Sequence, residues 1–163
     1  MKLVMIKAVK WVMLMGFLVG AQAVYAGQLI AEEGGWVRAV PPVSKNTAAY
    51  FTLNNQSHKK DTLLHLSSDA ARHVEFHTIV VEPDGAKKMQ KVPHATINPG
   101  NKLVMQPGGY HVMLIGLLKP LKEGDQVAVE LIFNHAGKVQ VTLPVKMASE
   151  STGDQMHRHR HHH

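Results

Sequence analysis

Two stretches near the C-terminal end place an aliphatic or aromatic side chain at every second position. Val127, Val129, Leu131 and Phe133 occupy every second position of one, and Val139, Val141, Leu143 and Val145 those of the next. A period of two is the signature of a strand with one buried and one wet face. Further β-like segments precede them at Thr47–Leu53, Thr62–Leu66, His73–Val81, Lys87–Val92, Lys102–Met105 and Tyr110–Ile115. They are separated by Pro83-Asp84-Gly85, Pro99-Gly100, Pro107-Gly108-Gly109, Glu123-Gly124-Asp125 and Ala136-Gly137-Lys138. Proline presets φ near −65° and glycine admits positive φ, so each of these is turn chemistry. Strands at this spacing, with no long helical pattern between them, predict an all-β chain folded as an antiparallel β-sandwich.

The ends do not belong to that pattern. Lys2, Lys7 and Lys10 precede an apolar run, Trp11 to Ala21, whose 11 residues are too few to span a bilayer as a helix. Small residues follow it, the layout of a secretory signal peptide. Cleavage after Ala26 or after Ala23 satisfies the small-residue rule, and the first is preferred, giving a signal peptide over 1–26 and a domain over 27–148. Residues 149–163 are polar, are expected to be disordered, and end in a His/Met-rich run.

Without residues 1–26 the chain has 15 basic and 12 acidic residues, a net charge near +3. No Lys/Arg stripe with interleaved aromatics is visible, which argues against a nucleic-acid partner. Cysteine is absent from all 163 residues. Thiol redox chemistry and a blue-copper centre, which needs a thiolate, are therefore excluded. A soft metal would have to be held by imidazole and thioether groups.

Residues i and i+2 of a strand share a face. In Tyr110–Ile115 this assigns Tyr110, Val112 and Leu114 to the core and turns His111 and Met113 outward, with Cα atoms about 7 Å apart. In Arg72–Val80 it assigns Val74, Phe76 and Val80 to the core and turns His73, Glu75 and His77 outward. Two separate strands thus place metal-ligating side chains on the non-core side. Met89 lies on the return strand after Pro83-Asp84-Gly85, where simple pairing about the turn leaves it diagonal to His77 rather than opposite. Imidazole with thioether suits Cu(I) better than zinc or magnesium. Methionine also replaces cysteine sensibly in an oxidising compartment, where a free thiolate is easily lost to oxidation.

The spacing His77, Met89 twelve positions on, His111 after 21 intervening residues and Met113 after one more resembles the motif of the PCu(A)C periplasmic copper chaperones. The resemblance includes Trp36-Val37-Arg38-Ala39-Val40-Pro41-Pro42, Pro107 to Leu114 and Pro120 to Asp125, nearly the whole mature domain. Thr78 departs from it, since many members carry Met beside the first His. The resemblance implies a cupredoxin-like β-sandwich and a surface Cu(I) site made by His77, Met89, His111 and Met113. It also implies delivery to the copper-A domain of cytochrome c oxidase subunit II, or to another periplasmic copper protein, by a monomer that does not span the membrane once processed.

Other candidates are read more plainly. A site from His73, Glu75 and His77 is a weaker arrangement, with His73 and Glu75 read as solvated neighbours. Met105 is assigned to packing, and Trp36 and Tyr50 to the core. In the tail, Met156, His157, His159, His161, His162 and His163 form a second metal-binding tract whose imidazoles suit Cu(II). Arg158 and Arg160 interrupt it, unlike the unbroken run of a purification tag. The leading expectation is a carrier working by ligand exchange rather than an enzyme. The alternative is a periplasmic copper storage or resistance protein with the same ligands and no dedicated acceptor. A zinc hydrolase is disfavoured, because no His-Glu-x-x-His is present and thioethers bind zinc poorly.

Overall fold

The computed structural model describes residues 29–148, and the signal-peptide and tail readings lie outside the described residues. The two alternating stretches form the long strands β11 (Gln126–Phe133) and β12 (Gly137–Lys146), paired antiparallel with Val129 opposite Val141 and Leu131 opposite Val139. Seven of their eight alternating residues are buried, and Val139 packs half-buried against them. Burying side chains of this size contributes about 1.5–3 kcal/mol each, so this hairpin is a main source of cohesion.

The remaining strands are β1 (Leu29–Ala31), β2 (Trp36–Arg38), β3 (Asn46–Tyr50), β4 (Thr52–Asn55), β5 (Asp61–Ser67) and β6 (Ala71–Val81). They continue with β7 (Lys87–Lys91), β8 (Ala95–Ile97), β9 (Lys102–Val104) and β10 (His111–Leu117). Among the described residues there is no helix, and so none long and apolar enough to cross a membrane. Nine strands form a sheet in the order β7-β6-β10-β3-β2-β12-β11-β5-β8, and three form another in the order β1-β4-β9. Phe76, Val112 and Leu114 from one half of the large sheet share a core with Val129, Leu131 and Leu143 from the other half and Leu53 of the small sheet. The architecture is the expected cupredoxin-like sandwich. Its pairing is antiparallel except between β12 and β2, which run parallel.

The expected single strand Thr47–Leu53 is instead two. Thr47 through Phe51 are buried without a break, which a strand with one wet face cannot be. The chain leaves the large sheet at Phe51, whose carbonyl accepts from the Met105 amide at 3.0 Å, and continues in the small one. Gly35 makes room for this crossing: a Cβ there would lie 2.8 Å from Phe51 Cβ and 3.2 Å from the Tyr50 carbonyl oxygen. That close approach seats Trp36 opposite Tyr50 at the start of β2.

Candidate metal centre

The centre is assembled by strand register. β6 and β10 pair with His77 directly opposite His111, and Met113 opposite Glu75. Opposed residues share a face, so all four side chains stand on one side of the sheet. On the other side of β6, Lys91 of β7 lies opposite His77 and Met89 opposite Ile79. Met89 is therefore on the same face and diagonal to His77, the relation expected from the turn. That turn is closed by Gly85 N–H donating to Glu82 O, Glu82 N–H to Ala86 O and Ala86 N–H to Asp84 Oδ1. Gly85 takes φ +84°, which fixes the hairpin and with it the diagonal. Diagonal neighbours stand about 7–8 Å apart, within the span of a long side chain.

The face is drier than alternation suggested. His111 is 4% exposed, the His77 side chain is 13% exposed, and Met113 is half-buried. Trp36 and Tyr50, assigned from the sequence to the core, are buried but do not join the main one. With Ala48 they form a second apolar cluster, and Met113 packs against it. The Trp36 and Tyr50 rings are 4.8 Å apart, and the Tyr50 ring is 6.4 Å from His111. Burial pushes the Tyr50 hydroxyl pKa up, against the opposing pull of Arg38, whose guanidinium lies 5.5 Å from the ring centroid. Tyr110, also expected inside, is 42% exposed and stacks on Phe76 at 5.2 Å, because β10 begins only at His111. Met105 is buried in the main core, and Met89 is 46% exposed at the rim.

The two imidazoles lie 5.9 Å apart between ring centroids. Each is held through one nitrogen only. His111 Nδ1 is 2.9 Å from Gly109 O, and His77 Nε2 is 2.8 Å from Glu75 Oε2. Lys91, and then His77, hold the Glu75 carboxyl below the usual carboxylate range. The other nitrogens, His77 Nδ1 and His111 Nε2, are buried without a partner. Leaving a buried polar atom unpaired costs about 1–3 kcal/mol, a penalty that a ligand would remove. Arg38 Nε shares this condition. Among the described residues no three His, Asp or Glu side chains form a metal-holding cluster. The grouping His73, Glu75, His77 is thus absent: Glu75 is engaged by His77 and Lys91, and His73 is exposed. An ion at the two free nitrogens would have to complete its shell with sulfur, and Met113 and Met89 are the thioethers on that face. The donor set fits copper as cargo.

The profile of the LpqE-like family, described as "Putative lipoprotein LpqE-like", matches residues 30–145. The chain belongs to that family. This bears out the PCu(A)C resemblance. The "Putative lipoprotein Lxx21020" of Leifsonia xyli subsp. xyli (strain CTCB07) is 34% identical to this LpqE-like chain over 112 residues, 68% of the chain and 66% of that relative, just under two thirds of its length. Among solved structures, the solution structure of CuI-DR1885 from Deinococcus radiodurans is 34% identical, with a TM-score of 0.58, covering 80% of this chain and 84% of that one. The copper-bound PCuAC domain from PmoF2 has a TM-score of 0.62 at 24% identity, over 75% of this chain and 95% of that one, and shows the shared fold.

Sequence reasoning missed the supports of the centre. Glu75 was read as solvated, yet it bonds His77; its place two residues before that histidine on the same face was the available signal. Trp36 and Tyr50 carried no such signal, because only the pairing of β2, β3 and β10 brings them beside His111.

Proposed function

We propose that this LpqE-like protein is an exported periplasmic copper chaperone that holds Cu(I) with His77, His111, Met113 and Met89. One observation carries the reading: two directly opposed histidines each keep one buried ring nitrogen without a partner. Imidazole and thioether together select Cu(I), and copper is named in the structures of two proteins similar to this one. The lipoprotein description of the relative from Leifsonia supports export; release after Ala26 rests on the small residues there, since the chain has no cysteine to carry a lipid anchor.

The mechanism is ligand exchange, without bond-making chemistry on a substrate. His77 and His111 sit on long paired strands and stay in place. Met113 is backed by the Trp36–Tyr50–Ala48 cluster. Met89 stands at the rim on an edge strand whose five residues are all exposed. It is the ligand an incoming acceptor can displace first. The acceptor is the copper-A domain of cytochrome c oxidase subunit II or another periplasmic copper protein, and the His/Met-rich tail supplies a second, Cu(II)-binding tract.

A competitive Cu(I) titration tests the site. The double variant His111→Ala, Met113→Ala is expected to lose affinity by about 100-fold or more, beyond the effect of one supporting residue; equal affinity in both proteins would refute the assignment. Mixing the Cu(I)-loaded protein with an apo copper-A domain tests delivery. Copper is expected to move to the domain; if it stays behind, the storage or resistance role replaces the chaperone role.

A further inference from the structure

The two imidazoles are anchored in opposite senses. A backbone carbonyl only accepts hydrogen bonds, so the contact of His111 Nδ1 with Gly109 O puts the proton on Nδ1 and leaves the lone pair on Nε2. A carboxylate also only accepts, so the contact of His77 Nε2 with Glu75 Oε2 puts the proton on Nε2 and leaves the lone pair on Nδ1. The atoms left without partners are the two that these bonds free, Nδ1 of His77 and Nε2 of His111. Glu75 is itself held from the far side, where Lys91 Nζ donates to Oε1 at 2.7 Å. Lys91 is the residue paired opposite His77 across β6 and β7, so one cross-strand pair supplies the histidine and the cation that steadies its anchor.

We infer that Glu75, clamped by Lys91, is a positioning residue that keeps the His77 proton on Nε2, so that the site offers unlike atoms, Nδ1 from His77 and Nε2 from His111. The inference rests on the copper-site reading above. It has a consequence for where the ion sits. Nδ1 is the nitrogen adjacent to the ring carbon that bears the side chain, and Nε2 is the distal one. An ion bound by this pair lies closer to the His77 stem than to the His111 stem. That shifts it toward β6 and the β7 hairpin, the side from which Met89 approaches.

Long-range proton–nitrogen NMR of the full ¹⁵N-labelled protein tests this directly. In the metal-free protein His77 is expected to be protonated on Nε2, and adding Cu(I) is expected to shift Nδ1 of His77 and Nε2 of His111. A metal-free His77 protonated on Nδ1, or a coordination shift on its Nε2, overturns the inference. Glu75→Gln, nearly the same shape, gives the second test. The amide has one acceptor, which turns to the Lys91 ammonium and presents NH₂ to His77, forcing the proton onto Nδ1. The tautomer is expected to invert and Cu(I) affinity to fall roughly tenfold, as for other residues that orient a metal ligand. Adding Lys91→Met releases the amide to turn its oxygen to His77 and is expected to restore the tautomer and most of the affinity, which a purely structural role would not do. An unaltered tautomer with unaltered affinity in Glu75→Gln overturns it. The metal-free spectrum needs no copper, so a wild-type protein that fails to bind Cu(I) refutes the chaperone reading alone. Cu(I) binding with the wrong tautomer refutes only the role of Glu75.

Discussion

Two buried polar groups in this molecule are treated in opposite ways. At one, Asp61 and Asn55 are 4% and 0% exposed, and every polar atom of their side chains is used. Asp61 accepts from the amides of Thr62, His135 and Ala136 at 2.8, 2.9 and 2.7 Å. Asn55 donates to the carbonyls of Lys59 and Ile97 and accepts from the amide and hydroxyl of Ser57. At the other, His111 is 4% exposed and His77 is partly buried, and each keeps one buried nitrogen unpaired. The first arrangement ties the start of β5 to the β11–β12 turn and the end of β4 to β8. Its polar atoms are consumed by the fold. The second leaves polar atoms over, and an unmet buried acceptor calls for an occupant such as an ion or a water.

The contrast predicts that the two groups separate stability from binding. Asp61→Ala should have the largest effect. It orphans three backbone amides at once, and a loss of about 4 kcal/mol follows from roughly 1–3 kcal/mol for each unmet group, with partial rescue by water. For a domain of this size that is more than about 10 °C in the thermal midpoint. Cu(I) affinity of the folded variant, measured below its transition, should stay at the wild-type value. A loss under about 1 kcal/mol in thermal unfolding would mean that the node is not structural.

His111→Leu should do the reverse. It removes a free nitrogen along with the ring, and replacing a poorly paired buried polar group by an apolar one of similar size is often neutral or stabilising. Unfolding free energy is expected to stay within about 1 kcal/mol of wild type, while Cu(I) affinity drops by about 100-fold, near 2.7 kcal/mol. A variant that unfolds readily and binds Cu(I) normally would invert the comparison and put the histidine pair with the scaffold.

How much of this was legible beforehand differs between the same regions. The β11–β12 hairpin was readable because eight residues kept one period. Strands β1, β2 and β8 were not, because three residues are too few to show a period; β9, equally short, stood out only through the Pro99-Gly100 and Pro107-Gly108-Gly109 turns that bracket it. Thr47–Leu53 misled for a related reason: continuous burial across a change of sheet resembles one strand in sequence. For the metal centre, alternation put His111 with Met113, and His77 with Glu75, on their proper faces. It says which residues share a face, but not what covers that face. The cover comes from Trp36 and Tyr50, brought in by long-range pairing, so the centre was expected at the surface and its ring nitrogens lie buried. The satisfied node went unseen because a lone Asp or Asn at a strand end gives no sign of the amides it will meet.

The smallest expected effect falls on Met89, and it discriminates between the proposed ligands themselves. Met113 is packed against the aromatic cluster, whereas Met89 is half-exposed on an edge strand, diagonal to His77. Met89→Leu keeps the volume and removes the sulfur. Stability should change by less than about 0.5 kcal/mol, as for surface substitutions generally. Cu(I) affinity should fall by no more than about tenfold, while Met113→Leu costs more, since a rim ligand that must swing inward gives back part of its bond in lost side-chain freedom. The dissociation rate sharpens the point. If Met89 is the ligand an acceptor displaces first, removing its sulfur should speed Cu(I) release to a competing chelator more than it slows capture. Stopped-flow transfer to the chelator would read this. Release from Met89→Leu at the wild-type rate would place Met89 outside the copper shell and leave the two histidines and Met113 to hold the ion.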